Sequence, residues 1–409
     1  MPPRRLLVLV LLGFASGLPL FLTGSTLKGW MTDEKLSLGT IGLFSFVSLP
    51  YSLKVFWAPL LDRYAMPALG RRRGWMLAMQ AGMALALFWL SRSEPRLDLQ
   101  RVVLLALGVA LTSATFDIAV DAWRAEALDQ KLLGLGNSVH IAAYRVAMLV
   151  SGGLAFILAD KVGWRSTYAF MAGLTCLGMA GTWLAEDTDG VAAAPRTLRE
   201  AVAGPLQDLL RRRGIFLLLA FAVFYKLGDW LAESMTVPFL MRGMGFTKTE
   251  IGTVQKTTAM IAIILGGLIG GWMLTRLSLR KALWVCGFVQ MGSVLGFWVI
   301  SLLGRHLPLL VAANALENLA YGMGGSAFAA LLMGSCNRSY TGTQYALFSA
   351  LMALPRTLFS GFTGFAAARV GWTLYFPLCA AAAVPGLLLL LLWDRWGLPE
   401  VETEDIRPT

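Results

Sequence analysis

The sequence predicts an all-α membrane protein, with twelve transmembrane helices arranged as two pseudo-symmetric six-helix bundles. Three observations carry this expectation. Apolar stretches of about 20 residues, the length that takes a helix across a bilayer, follow one another almost without pause. Only 14% of the 409 residues are charged and 57% are hydrophobic, where a soluble domain has about 25% charged residues; the mean hydropathy is +0.65. Short strings also recur in the same order in the two halves of the chain. The strands of an outer-membrane β-barrel are alternating segments of about 10 residues, and these runs are longer and uniformly apolar.

Taken in order, span 1 (5–30) opens on Arg4 and Arg5 and runs well past signal-peptide length, so it reads as an uncleaved first helix. Its GFASGLPLFLTGS carries Gly13, Gly17, Pro19 and Gly24, breakers tolerated at bilayer depth where the freed backbone lines a cavity or finds partners. Span 2 (38–61) begins in SLGTIG and holds Pro50 and Lys54; APLLDRYAMPALGRRR then leads to span 3 (74–93) and span 4 (99–123). Span 5 (135–159) bears His140, Tyr144 and Arg145 and passes through VGWRSTY into span 6 (166–185). The largest interruption is 186–213, whose TLREAVAGPLQDLLRRRG reads as an amphipathic helix on the cytoplasmic membrane surface. Span 7 (214–240) contains Pro238, and TKTEIG introduces span 8 (250–275), whose ILGGLIGGW reads as a close-packing face. Spans 9 (282–303), 10 (308–335) and 11 (342–367) follow, with Pro355 directly before Arg356, and VGWTLY opens span 12 (372–393). The expected organisation is a first bundle (1–185), a linker (186–213), a second bundle (214–395) and a cytoplasmic tail (396–409).

The net charge of +11 orients the chain rather than marking a nucleic-acid binder. With the N terminus in the cytoplasm, 19 extramembrane Lys and Arg fall on that side and 11 on the other, among them Lys28, Arg242 and Lys248. Excess positive charge stays inside, so both termini are expected in the cytoplasm. The four cysteines lie in or beside spans without a CxxC pair, which implies neither a metal nor a disulfide framework.

Three pairs of strings are collinear: the loop from Ala58 with that from Gly271, SLGTIG (37–42) with TKTEIG (247–252), and VGWRSTY (162–168) with VGWTLY (370–375). Their common offset of about 210 residues argues for duplication. Parallel duplication of a six-helix unit is the architecture of the major facilitator superfamily. In the repeated loop a small residue lets a neighbouring helix approach. Asp62 can cap or pair across to it, and Arg63, like Arg276 in the second copy, stays at the interface. Together with Arg124 these are the candidate inner gate, against the plainer reading of a positive-inside loop.

Charges at bilayer depth cost several kcal/mol and are functional candidates by default. They are Lys54, Arg145, Lys226, Lys256 and Arg356 against Asp117, Asp121, Asp229, Glu233 and Glu317, a balanced set that favours internal pairing. Asp117, Asp121 and Arg124 share one face of span 4; Lys226, Asp229 and Glu233 form a stripe on span 7, with Tyr225 and Trp230 beside it. Asn314, Glu317 and Asn318 make a third polar patch in span 10. Opposite charges also serve as plain staples between helices. For Arg124 with Glu126 that is the favoured reading, and for Asp117 and Asp121 the two readings weigh equally.

GFASGLPLFLTGSTLKGWM, IGLFSFVSLPYSLKVFWAPLLDRY with LGRRRGW, and TSATFDIAVDAWRAE resemble the AmpG-type muropeptide permeases, a branch of the major facilitator superfamily related to acetyl-CoA transporters. The likeness is densest over 10–170; Phe116 stands where the family usually has Gln. The resemblance implies a proton-coupled inner-membrane importer of anhydromuropeptides, serving peptidoglycan recycling and, in some organisms, β-lactamase induction. Ending after twelve spans resembles the shorter branch of the family. Such a cargo offers carboxylates to Lys54, Arg145, Lys226, Lys256 and Arg356, sugar faces to Tyr144, Trp230 and Tyr321, and amides to Asn314 and Asn318. The coupling proton would ride on Asp117, Asp121, Asp229, Glu233 or Glu317, the span 7 pair first.

Within transport, the alternatives are an importer of another bulky anion, acyl-CoA-like or sugar-peptide, and a drug exporter; five basic residues at bilayer depth count against the last. An intramembrane enzyme or receptor is disfavoured, since HExxH, GxSxG and room for a soluble domain are all missing. The expected partners are a small-molecule substrate, protons and membrane lipid, with no nucleic acid. No cofactor is expected beyond the proton gradient, and the protein is expected to be a monomer.

Overall fold

The computed structural model describes residues 2–64, 70–128, 130–186, 207, 211, 214–335 and 341–396. Among these, all regular structure is helical. The expected amphipathic helix of the linker and the tail beyond 396 lie outside the described residues. Eight helical segments are long and apolar enough to cross a membrane. One of them, Leu135–Leu184, is 50 residues long and holds spans 5 and 6, parted at Gly163 with φ 80°. Spans 10 (Leu307–Gly334) and 11 (Thr341–Val370) are continuous helices but more polar. Twelve remains the expectation of the sequence pattern.

Span 2 is the element that departs most from its expected form. It is a chain of short α and 3₁₀ pieces, from Leu38–Leu43 through Lys54–Phe56 to Ala58–Arg63. Pro50 and Pro59 each sit in the first turn of a new piece, because proline lacks the N–H that would continue the preceding helix. Span 1 is likewise interrupted: Pro3–Thr23 ends at Gly24 and the chain resumes as Ser25–Asp33.

The chain forms two compact units. The first comprises Met1–Arg196 with Glu233–Thr258 and Thr357–Trp372. Spans 1 and 5 meet here backbone to backbone, since a Cβ on Gly13 or Gly17 would run into the carbonyls of His140 and Tyr144. Close approach through glycine is the usual way membrane helices pack. At the end carrying the N terminus, Arg5 holds Glu186 at 2.8 Å and Arg4 donates to the Leu184 carbonyl at 3.1 Å, fixing the end of span 6. There, too, Arg72 and Glu126 pair at 2.6 Å with both side chains buried. Glu126 thus takes Arg72 as its staple between helices, while Arg124 bonds Asp121 on its own helix at 2.8 Å.

The second unit comprises Thr197–Ala232, Ala259–Arg356 and Thr373–Thr409. Its core gathers Phe221, Tyr225, Leu283, Cys286, Phe348, Leu387 and Trp396. The ILGGLIGGW face packs as expected: a Cβ on Gly266 or Gly270 would meet the carbonyls of Leu319 or Met323 in span 10.

The repeated strings perform the same tasks twice. Ser37 caps the start of span 2 by accepting from Thr40 N at 3.1 Å, and Thr247 caps span 8 by accepting from Glu250 N at 3.2 Å. Tyr168 donates its hydroxyl to the Leu22 carbonyl of span 1 at 2.8 Å; Tyr375 donates to Leu231 of span 7 at 2.6 Å. Trp164 packs against Trp30, and Trp372 against Phe239. Gly163 and Gly371, before those tryptophans, both have positive φ.

Candidate functional site

In the first unit, spans 1, 2, 4 and 5 bring a polar group together. Asp117 on span 4 has Lys54, Asp121, Ser16 and Arg124 for neighbours. Tyr144 on span 5 lies beside Asp117, Tyr51, Asp121 and Arg145. The expected residues Lys54, Asp117, Asp121, Arg124, Tyr144 and Arg145 therefore do converge. Asp121 is exposed and ion-paired with Arg124, whereas Asp117 is half-buried. Helical periodicity did not reveal Ser16, Tyr51 and Ser113, whose hydroxyls are enclosed here, Ser16 beside Asp117 and Ser113 beside Tyr51. The only signal for them in the sequence is spacing: Ser113 lies one turn before Asp117, and Tyr51 one turn before Lys54.

The second unit holds a tighter constellation. Lys226 Nζ pairs with Asp229 Oδ2 at 3.4 Å, and Gln290 Nε2 of span 9 donates to the same oxygen at 2.8 Å. The Lys226 ammonium also stands 4.6 Å from the centre of the Tyr321 ring, close enough for a cation–π contact. Arg356 and Cys286 act on it electrostatically. Asn318 Nδ2 donates to the Asn314 carbonyl at 2.8 Å and approaches Glu317 at 3.3 Å. Trp230 is buried beside Ala222 and Met352, packed in the core rather than presenting an open ring. The span 7 stripe is divided: Lys226 and Asp229 belong to this unit, while Glu233 is exposed and belongs to the other. Gln290 is uncharged in an apolar run and was not legible as a partner of Asp229.

Of the gate candidates, Arg276 is exposed and the side chains of Asp62 and Arg63 lie outside the described residues, as does that of Lys256. The structure instead displays a dense closure at the end of the first unit remote from the N terminus, here called the distal end. Lys28, counted by the sequence pattern as a loop charge, is 8% exposed. Its ammonium donates to Ser45 Oγ at 2.8 Å, Ser234 Oγ at 2.8 Å and the Ser234 carbonyl at 3.2 Å. Ser234 Oγ in turn lies 3.0 Å from Thr363 Oγ1. Spans 1, 2, 7 and 11 are thereby joined at one level. Nearby, the Arg242 guanidinium donates to the carbonyls of Thr32 at 2.9 Å, Met31 at 3.4 Å and Leu36, capping the end of span 1. Asp33 takes Lys248 at 2.9 Å and the Trp164 indole at 2.8 Å.

Glycine makes the same closure sterically. A Cβ on Gly42 of span 2 would lie 2.8 Å from Gly364 N and 2.9 Å from the Gly361 carbonyl of span 11. A Cβ on Gly252 of span 8 would lie 2.6 Å from the Gly153 carbonyl, in the π turn of span 5. Spans 2 and 8, and spans 11 and 5, stand at equivalent places in the duplication, so the two contacts are one contact made twice.

Duplicated helical bundles, charges held inside apolar helices and a closure shared between the repeats define a membrane transporter. A family model for the Major Facilitator Superfamily matches residues 9–360, and the chain belongs to that superfamily. The anhydromuropeptide permease of Escherichia coli K12 is 45% identical over 389 residues, covering 95% of this chain and 79% of that protein. An uncharacterized Haemophilus influenzae protein is 38% identical over 400 residues, covering 95% of this chain and 94% of its own. Among solved structures, a POT family transporter in complex with 5-aminolevulinic acid matches with a TM-score of 0.74 at 12% identity, covering 96% of each chain. A D-xylose–proton symporter matches at 0.67 with 13% identity, covering 98% of this chain and 97% of that one. At such identities the likeness is one of fold.

Proposed function

We propose that this transporter imports anhydromuropeptides, the sugar-peptide fragments of peptidoglycan, across the bacterial inner membrane by alternating access, using the proton gradient. The observation that carries the substrate is the 45% identity, sustained over 95% of the chain, to the Escherichia coli anhydromuropeptide permease. The chemistry of the two polar groups suits such a cargo. Lys54, Arg145, Lys226 and Arg356 supply cations for stem-peptide carboxylates, and the enclosed hydroxyls of Ser16, Tyr51 and Ser113 suit sugar hydroxyls and amides. Both termini are taken as cytoplasmic on the positive-inside count, which makes the distal closure the periplasmic gate and the conformation described one with that gate shut.

Asp229 and Asp117 are the favoured proton carriers. Each is a carboxylate beside a lysine, and protonation would release that lysine for a substrate carboxylate. The test is uptake of radiolabelled anhydromuropeptide into proteoliposomes under an imposed inward proton gradient. Accumulation that collapses with a protonophore is expected. Accumulation that ignores the gradient removes the coupling, and none under any gradient removes the substrate too.

A further inference from the structure

Lys28 belongs to neither polar group described above, yet it is a cation 92% removed from solvent at the centre of the distal closure. Its ammonium donates to three acceptors: Ser45 Oγ, Ser234 Oγ and the Ser234 carbonyl. They come from two sources. Ser45 is on span 2, in the same half of the duplication as Lys28, while both Ser234 acceptors are on span 7. Ser234 is itself held from behind, by Thr363 Oγ1 at 3.0 Å and the Ser360 carbonyl at 3.2 Å of span 11. Any opening of this closure that parts span 7 from span 1 therefore takes both Ser234 acceptors away at once, with the ammonium on the wall of the opened path. A buried ammonium that loses its acceptors is strongly disfavoured unless water or an anion replaces them.

We infer that Lys28 is a carboxylate receptor of the outward-open transporter, exchanging its two Ser234 acceptors for a carboxylate of the arriving substrate and returning to Ser234 as the gate closes behind it. This rests on the proposed import of an anionic sugar-peptide and adds the group that first meets it. In this exchange the substrate carboxylate stands in for the Ser234 acceptors only while the gate is open.

The experiment has two arms. In protein whose four native cysteines are replaced by alanine, Ser360→Cys places a thiol at a position 7% exposed beside the closure. Lys28→Met is expected to speed its labelling by an impermeant maleimide several-fold, and Lys28→Arg to speed it less. In the second arm, KM is measured in proteoliposomes for anhydromuropeptide with free and with amidated stem-peptide carboxylates. Lys28→Met is expected to raise KM at least tenfold for the free acid and less than threefold for the amide, with Lys28→Arg recovering most of the loss. An equal rise for both substrates makes Lys28 a merely structural part of the gate and overturns the receptor; no rise, or unchanged labelling, overturns it as well. Wild-type protein that takes up neither substrate removes the import reading itself, a result distinct from a wild type that transports while the variants fail to discriminate.

Discussion

One oxygen, Oδ2 of Asp229, accepts from both Lys226 and Gln290. Shortening Gln290 to an apolar side chain removes the shorter of those bonds. Gln290→Leu is expected to cost about 1–3 kcal/mol of stability, read as a fall in Tm, and to lower uptake by shifting the carboxylate. Asp229→Asn should abolish gradient-driven uptake while sparing substrate counterflow, if this group carries the proton; loss of both would reduce it to a staple. At this scale the sequence was informative wherever charge and helical spacing coincide: Lys226 with Asp229, and Asp117 with Asp121 and Arg124. It was silent where the partner is neutral, as at Gln290, Ser16 and Tyr51, because an isolated amide or hydroxyl in an apolar run has no period to betray it. Lys28 was misplaced for a related reason. Hydropathy ends span 1 near residue 30 and assigns its last charge to the loop, whereas the structure breaks the helix at Gly24 and carries the next two turns back into contact with spans 2 and 7.

Elements behave as their breakers and caps dictate. Pro50, Pro59 and Gly24 interrupt spans 2 and 1 where the sequence has them, but which pieces become 3₁₀ is set by packing and was not legible. The glycine contacts of spans 2 and 11 make a sharp prediction. Gly42→Val sets side-chain bulk against the span 11 backbone, where even a Cβ would lie 2.8 Å from Gly364 N. The protein should fold with the distal end propped apart, so that a thiol at position 360 labels rapidly and uptake falls at least tenfold. A variant that labels slowly and transports normally would refute the contact as part of the gate. The end of span 6 offers a pH test. The Arg5 guanidinium bonded to Glu186 holds its carboxyl below the ordinary value of about 4.3. A depressed carboxyl stabilises above its unfolded-state pKa, and that contribution is lost as pH falls through its native one. With the Glu186 side chain 40% exposed, the pair is worth about 0.2–1 kcal/mol. Glu186→Gln should therefore lower Tm slightly at pH 7, with the difference shrinking as pH falls below about 4.3 and vanishing once the native carboxyl is protonated.

For the whole molecule, the duplication was the most legible feature, because matched strings keep their tasks: Ser37 and Thr247 as caps, Tyr168 and Tyr375 as hydroxyl anchors to the first span of each half. The grouping into compact units was not legible. Segments 233–258 and 357–372 lie with the first unit through contacts between residues some 200 apart, such as Lys28 with Ser234, which no local pattern announces. Orientation can be checked directly: tags at both termini should be cut by protease only in inside-out vesicles, and cutting of either from outside would reverse the assignment. The distal closure has one more consequence. Apart from the Lys248–Asp33 pair, the contacts named here are backbone against backbone at glycine, a cation on hydroxyls and carbonyls, hydroxyls on one another, or an indole on a carboxylate. Mobile ions compete with ion pairs at a surface but hardly with such contacts. The gate should therefore open at the same rate in dilute and concentrated salt.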